Sequence, residues 1–137
     1  MTQKFEILWN IMKVLIDTPI FKYHGTVFKK KRNGFGRQFW KNTKEYYQGE
    51  WKDNKMNGIG MLVISKKKIT CQGIFKDNEL HGKGFMLTHP FICKECGKSK
   101  FYLVIGEFSK GYATNNTKKY LCVNHGNYIV RKLIWNI

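Results

Sequence analysis

The sequence contains few arginines, few acidic residues and no long apolar run. Of its 25 basic residues only Arg32, Arg37 and Arg131 are arginine, Asp and Glu together number 9, and the formal net charge is +16. Because arginine is preferred for bidentate contacts to phosphate and guanine, its scarcity argues against sequence-specific reading of nucleic acid bases. No apolar run approaches the roughly 20 residues that a membrane-spanning helix needs, and no small-residue cleavage site follows the first residues. The sequence therefore predicts neither a transmembrane helix nor a secretory signal.

Motifs of catalysis are also missing. The chain has no G-x-S-x-G sequence, no P-loop lysine motif and no glycine-rich loop that opens a helix. Asp53, Asp77 and Glu79 fall in equivalent turns of a repeat, so paired carboxylates for general acid and base chemistry are not expected. We therefore expect no enzymatic activity. A length of 137 residues with 42% hydrophobic content instead predicts one folded domain.

What the sequence does contain is an internal repeat of 24 residues that is marked by glycine. Nine glycines keep this register: Gly25, Gly49 and Gly73, then Gly34, Gly58 and Gly82, then Gly36, Gly60 and Gly84. Each unit reads as an aromatic segment, a polar turn, G-x-G and a short apolar segment, which predicts one β-hairpin per repeat. We expect the glycines to permit positive φ or close backbone approach.

Side chains at equivalent positions of the repeats form three columns. These are Val27, Trp51 and Phe75; Tyr23, Tyr47 and Cys71; and Phe39, Val63 and Leu87. We expect the stacked hairpins to bury the columns together, because a single repeat cannot form a core. The predicted fold is all-β, a single-layer stack of β-hairpins over residues 21–137.

The repeat resembles a known family. The segment YYQGEWKDNKMNGIGML, residues 46–62, resembles a MORN repeat (membrane occupation and recognition nexus), with its Y-x-G-x-W, short turn and G-x-G. Three units resemble the pattern, over about residues 23–88, although Val27 and Phe75 replace its tryptophan and Cys71 its tyrosine. The resemblance implies a scaffold or interaction subunit of a larger assembly. It also implies a cytoplasmic protein associated with the cytoskeleton, a cilium or a membrane.

Two pairs of potential metal ligands lie near the C-terminus. Gly106 follows Gly73 by 33 residues rather than 24, so nine residues are inserted, and the insertion falls at the segment FICKECGKSK, which has a C-x2-C pair. After the next hairpin, Cys122 and His125 form C-x2-H. Turns one hairpin apart lie about 10 Å from each other, which an insertion of this length can cross. Segments 91–100 and 120–127 are therefore predicted to form a closed, structural Zn²⁺ site with the ligands Cys93, Cys96, Cys122 and His125.

Alternatives to this zinc site remain open. Cysteines also occur as small buried hydrophobic residues, or in disulfides if the protein is secreted. Cys71 belongs to an apolar column and is expected in the core, while His89 is a reserve ligand at the start of the insertion.

Apolar residues near the N-terminus recur at helical spacing. They are Phe5, Leu8, Trp9, Met12, Leu15 and Ile16. This spacing predicts an amphipathic helix within residues 1–20, ending before Pro19. The helix would cap the first edge of the sheet or dock on a partner or membrane surface.

Lysines cluster in the turns on one edge of the predicted sheet. We predict that they bind an anionic partner: Lys41, Lys44, Lys66, Lys67, Lys68, Lys94, Lys98 and Lys100. Acidic protein tails, anionic lipid head groups and RNA would all be attracted there, and a solvated lysine face is the alternative. The principal interpretation is an assembly subunit that binds protein. The other two are a zinc-stabilised nucleic-acid-binding protein of a ribonucleoprotein and a membrane-surface adaptor.

Overall fold

A computed structural model describes residues 11–124 and 129–136 of the chain. These residues form one antiparallel sheet in which consecutive strands are neighbours, except that β8 pairs only with β9, and β9 also pairs with β7. The strands are β1 Ile11–Asp17, β2 Phe21–Phe28, β3 Lys31–Trp40, β4 Tyr46–Lys52, β5 Lys55–Ile64, β6 Ile69–Lys76, β7 Glu79–Thr88, β8 Phe91–Ile92, β9 Ser99–Ser109, β10 Tyr112–Asn124 and β11 Ile129–Asn136. No described residue is helical, and the predicted all-β stack of hairpins is confirmed.

Two-residue turns close the repeat hairpins and tie each to the one before it. Asp53 and Asn54 have φ values of 47° and 69°, the left-handed pair that suits the right-handed twist of a hairpin. The Asn54 amide donates to the Arg32 carbonyl at 3.1 Å, and the Asn54 Oδ1 accepts from the Arg32 amide at 2.9 Å. Asn78 makes the same two bonds with Met56, at 3.0 and 2.9 Å. These bonds repeat the same connection between successive hairpins.

A row of glycines crosses the sheet at its centre. Neighbouring strands pair through Gly25, Gly36, Gly49, Gly60, Gly73, Gly84 and Gly106. The Tyr47 ring lies over this row, with its hydroxyl donating to the Glu50 carbonyl at 3.0 Å. A Cβ on Gly60 would lie 2.2 Å from the Tyr47 hydroxyl oxygen, so the close approach that the repeat predicted is confirmed.

The core covers one face of the sheet, called here the front face. Tyr23, Tyr47, Trp51 and Phe75 are buried there, and Trp51 meets the two tyrosines edge to face at centroid distances of 5.6 and 5.1 Å. Cys71 is buried in the same cluster. Two of the three predicted columns are therefore confirmed, although Val27 is only partly buried.

The third predicted column does not join this core. Phe39, Val63 and Leu87 are half-buried and do not belong to the core cluster. Phe39 follows the buried Gln38 by one position, and neighbouring residues of a strand point to opposite faces. The column therefore lies on the opposite, or back, face, and the prediction that all three columns are buried together was wrong.

The N-terminal segment forms a strand where a helix was predicted. Ile11–Asp17 pair residue by residue with Phe28–Lys22 of β2, so the helix prediction was wrong for these residues. The Thr18 hydroxyl oxygen stabilises the connecting turn by accepting from the Phe21 amide at 3.0 Å. Pairing with β1 gives hydrogen-bond partners to backbone groups of β2 that would otherwise be unpaired. This gain stabilises the strand over the helix that the apolar spacing predicted. Phe5, Leu8 and Trp9 lie outside the described residues.

Candidate functional site

Three turns form a continuous edge of the sheet, called here the lysine edge: residues 41–45, 65–68 and 93–98. The Ser65 hydroxyl donates to the Lys44 carbonyl at 2.6 Å and links the first two turns. The His89 amide donates to the Lys68 carbonyl at 2.7 Å and attaches the start of the insertion to the second turn. The turns are therefore held in a fixed order by hydrogen bonds between repeats.

Exposed ammonium groups are concentrated at the middle and end of this edge. Lys66, Lys67 and Lys68 are all exposed, as are Lys94 and Lys98 in the inserted turn. Consecutive hairpin turns lie on opposite edges of the sheet. The turns that carry Lys66 and Lys94 are separated by one turn on the other edge, and they therefore lie on the same edge. The structure thus brings together most of the lysines that the sequence predicted.

Lys41 differs from these lysines, because Asp17 already neutralises its charge. Its Nζ lies 2.5 Å from Asp17 Oδ1 and 2.6 Å from the Thr18 carbonyl oxygen. The hydrogen bond from Lys41 lowers the pKa of Asp17, and Lys22 adds a second ion pair at 3.4 Å. Sequence reasoning did not assign a carboxylate partner to Lys41. It missed Asp17 because a predicted helix placed that residue elsewhere.

The C-x2-C pair forms a compact turn. The Cys93 amide donates to the Lys98 carbonyl at 2.9 Å, and the Gly97 amide donates to the Cys93 carbonyl at 2.8 Å. The Lys100 ammonium beside the thiol lowers the pKa of Cys93 to about 7, and hydrogen bonds from Cys96 act in the same direction. The same contact raises the pKa of Lys100. Lys100 therefore interacts with the C-x2-C turn. The exposed lysines of the lysine edge are Lys44, Lys66, Lys67, Lys68, Lys94 and Lys98.

Cys122 lies across β9 from this turn and faces the other way. It pairs with Phe101, whereas the adjacent Lys100 pairs with Phe91. Since neighbours in a strand alternate, Cys122 points to the back face and the side chain of Lys100 to the front. Cys122 is buried, and none of the four cysteines forms a disulfide.

The described part of the chain does not show the predicted metal site. His125 lies outside the described residues, and within them no three His, Cys, Asp or Glu side chains are placed to hold a metal ion. A structural zinc site is rarely preformed in the unfolded chain, so zinc binding and folding are coupled. The site formed by Cys93, Cys96, Cys122 and His125 stays a prediction.

Metal analysis of the purified protein tests this site. We expect one Zn²⁺ per chain and its loss in Cys93→Ser, because thiolates are the ligands that zinc prefers. Cys71→Ser is the matched control, since Cys71 is buried in the core and burial raises the pKa of its thiol to about 11. Zinc retained in Cys122→Ser would remove Cys122 from the ligand set. No zinc in the wild-type protein would contradict the site altogether.

A second feature of the site region lies on the front face, between the first two repeats. A cavity of about 410 Å³ is bordered by Arg32, Gln38, Trp40, Trp51 and other side chains. Sequence reasoning did not select Arg32. Its position in the repeat, where the other two units have Met56 and Leu80, was visible in the sequence.

Comparison with known families agrees with this architecture. The family model described as MORN repeat matches residues 23–43, 47–66 and 71–87, which are the first three glycine-marked hairpins. The family model thus matches this chain at three positions. No curated protein matches the chain. The β9–β10 hairpin continues the sheet beyond the three matched repeats, with Gly106 opposite Gly84.

MORN repeats indicate a scaffold for interaction with proteins or membrane lipids, and proteins built from them are generally not enzymes. Within the described residues, no helix has the length and apolar character to cross a membrane.

Proposed function

We propose that this protein is a non-enzymatic subunit of a larger assembly, which binds an acidic segment of a protein partner along the lysine edge. The observation that carries the proposal is the row of hydrogen-bonded turns bearing Lys66, Lys67 and Lys68. These lysines have exposed side chains, and no described carboxylate lies within ion-pair distance of them. A surface of one sign attracts an opposite charge over distances near the Debye length.

Several features favour an acidic peptide over nucleic acid. Base-stacking proteins present exposed aromatic side chains next to their cations, whereas Tyr23, Tyr47 and Trp51 of these repeats are packed in the core. Lysine supplies a positive charge but lacks the planar guanidinium group with which arginine contacts bases and phosphates. A cytoplasmic location, with association to the cytoskeleton or a membrane, and a structural zinc site at the 93–98 turn are further parts of this proposal.

A charge-neutralising variant tests the lysine edge. We expect Lys66→Gln, Lys67→Gln and Lys68→Gln together to weaken binding of a ten-residue glutamate peptide about tenfold, since exposed ion pairs contribute roughly 0.2–1 kcal/mol each. Glutamine keeps much of the side-chain length, so packing changes little. Titration calorimetry at two salt concentrations measures the effect.

The matched control changes the opposite edge. Lys29→Gln, Lys30→Gln and Lys31→Gln remove the same charge from exposed positions, and we expect the peptide affinity to fall less than twofold. Equal losses in both variants would show that only net charge matters. Tighter binding of single-stranded RNA, with a salt slope of about 0.7 per phosphate, would favour the ribonucleoprotein alternative. Tighter binding of phosphatidylserine vesicles would favour the membrane adaptor.

A further inference from the structure

Arg32 is a cation in a column of the core that is otherwise apolar. The equivalent residues of the second and third repeats, Met56 and Leu80, are 7% and 3% exposed. Arg32 is half-buried at the start of β3, and burial lowers the pKa of its guanidinium. Removing a cation from water is costly unless an anion or several hydrogen bonds compensate it. The groups around Arg32 therefore show whether its charge is compensated within the protein.

Aromatic rings enclose the guanidinium. Its central carbon lies 4.6 Å from the centre of the Trp51 ring, 5.5 Å from that of Phe21 and 5.9 Å from that of Tyr23. Cation–π attraction to such rings holds the group in place. It does not satisfy the N–H donors in the plane of the guanidinium.

Neutral acceptors occupy part of the donor set. The Arg32 Nε donates to Asn54 Oδ1 at 3.2 Å, Nη2 donates to the Asn54 carbonyl at 3.0 Å, and Nη1 donates to Gln38 Oε1. A guanidinium has five N–H donors, so one remains on each terminal nitrogen. No described carboxylate forms an ion pair with Arg32. The positive charge is held by protein groups but not neutralised by them.

The cavity beside Arg32 has room for the missing anion. Its volume is about 410 Å³, and its walls include Trp40, Trp51 and Leu62. Glu45 also lines it without forming an ion pair with Arg32, and it repels every negative charge that a ligand carries beyond the one that Arg32 neutralises. The suited ligand has one carboxylate and an apolar body.

We propose that this cavity binds a carboxylate attached to an aromatic or apolar body. The carboxylate accepts from Arg32, and the body packs against Trp40 and Trp51. The source is either a small organic acid or an acidic side chain next to an aromatic residue of a protein partner. The cavity lies on the front face and shares Glu45, but none of Lys66, Lys67 and Lys68, with the lysine edge, so the two sites can be tested separately.

Benzoate and its uncharged counterpart benzamide are the probes for this cavity. We expect benzoate, but not benzamide, to shift the indole N–H signals of Trp40 and Trp51 in nuclear magnetic resonance spectra of the full chain. Arg32→Met introduces the residue that the second repeat carries, and we expect it to weaken benzoate binding about tenfold or more, as for a hydrogen bond to a charged group. Equal shifts from benzoate and benzamide would overturn the proposal.

Two further variants complete the test. Arg37→Met makes the same charge change on the back face, where Arg37 contacts Gln48 at 3.2 Å, and we expect unchanged benzoate affinity. Arg32→Lys keeps the charge but loses the planar fork, so it gives an independent result if the methionine variant does not fold; we expect binding several-fold weaker than wild type. Wild-type benzoate affinity in a folded Arg32 variant would overturn the proposal.

A dipeptide pair distinguishes the two sources. Phe-Glu with both ends blocked carries the carboxylate on a peptide, and blocked Phe-Gln is its neutral control. Tighter binding of Phe-Glu than of benzoate assigns the cavity to a protein partner, and the reverse assigns it to a small acid. If neither carboxylate binds better than its neutral control, the cavity is not an anion site.

Discussion

Replacing Trp51 by alanine is expected to lower the free energy of unfolding by about 3–5 kcal/mol, the range for deleting a buried large aromatic side chain. The ring is 4% exposed and packs edge to face on Tyr23 and Tyr47. Its Nε1 donates to the Gly36 carbonyl at 3.1 Å. The substitution would therefore leave a cavity in a single-layer core and a carbonyl without its partner. Among the described residues there is no second sheet that could close the gap.

Urea denaturation followed by circular dichroism measures this effect. We expect a lower midpoint with little change in the slope, because the surface exposed on unfolding stays similar. Tyr112→Ala is the control, since that ring is 78% exposed and its loss should change stability by less than about 0.5 kcal/mol. Trp51→Phe should lie between the two, because the third repeat has Phe75 at this position. An unchanged midpoint in Trp51→Ala would mean that the front face is not the core.

Replacing Gly49 by alanine is the second change with a large expected effect, a loss of about 3 kcal/mol or more. A Cβ at this position would lie 2.5 Å from both the Gly60 Cα and the Ile59 carbonyl oxygen. Both contacts are to the backbone of the neighbouring strand. Strands cannot separate to make room without breaking the ladder of hydrogen bonds that joins β4 to β5.

The Gly111→Ala variant separates crowding from backbone strain. Gly111 has a φ of 79° but nothing within 4 Å of an added Cβ. We expect a loss of about 1–2 kcal/mol there, the cost of a left-handed conformation for an ordinary residue. The comparison uses the same denaturation measurement. If Gly49→Ala were as stable as Gly111→Ala, the glycine row would not be closely packed.

The repeat itself was predictable because its information is local. Aromatic residues, turn residues and glycines recur every 24 residues, and each unit carries the chemistry of its own hairpin. Tyr47 and Trp51 were therefore assigned correctly to the core, and the glycine row to close approach of strands. The same alignment placed Arg32 with Met56 and Leu80, although the sequence alone did not indicate why a cation occupies that column.

Pairing between strands decided what the sequence left open. Residues 11–17 contain apolar residues at both helical and alternating spacing, and contact with β2 selects the strand. That strand brings Asp17 to Lys41, an ion pair that no local pattern reveals.

The amino-acid sequence by itself determined the repeat hairpins, their period of 24 residues and the two columns of the front core. Only the tertiary structure decided which face each remaining side chain occupies. Successive residues of a strand point to opposite faces of the sheet. The register between β9 and β10 therefore places Cys122 and Lys100 on opposite faces. Phe39 follows the buried Gln38, so the third column lies on the back face. Register depends on hydrogen bonds between distant segments, and the face of a residue follows from it rather than from the residue's own chemistry.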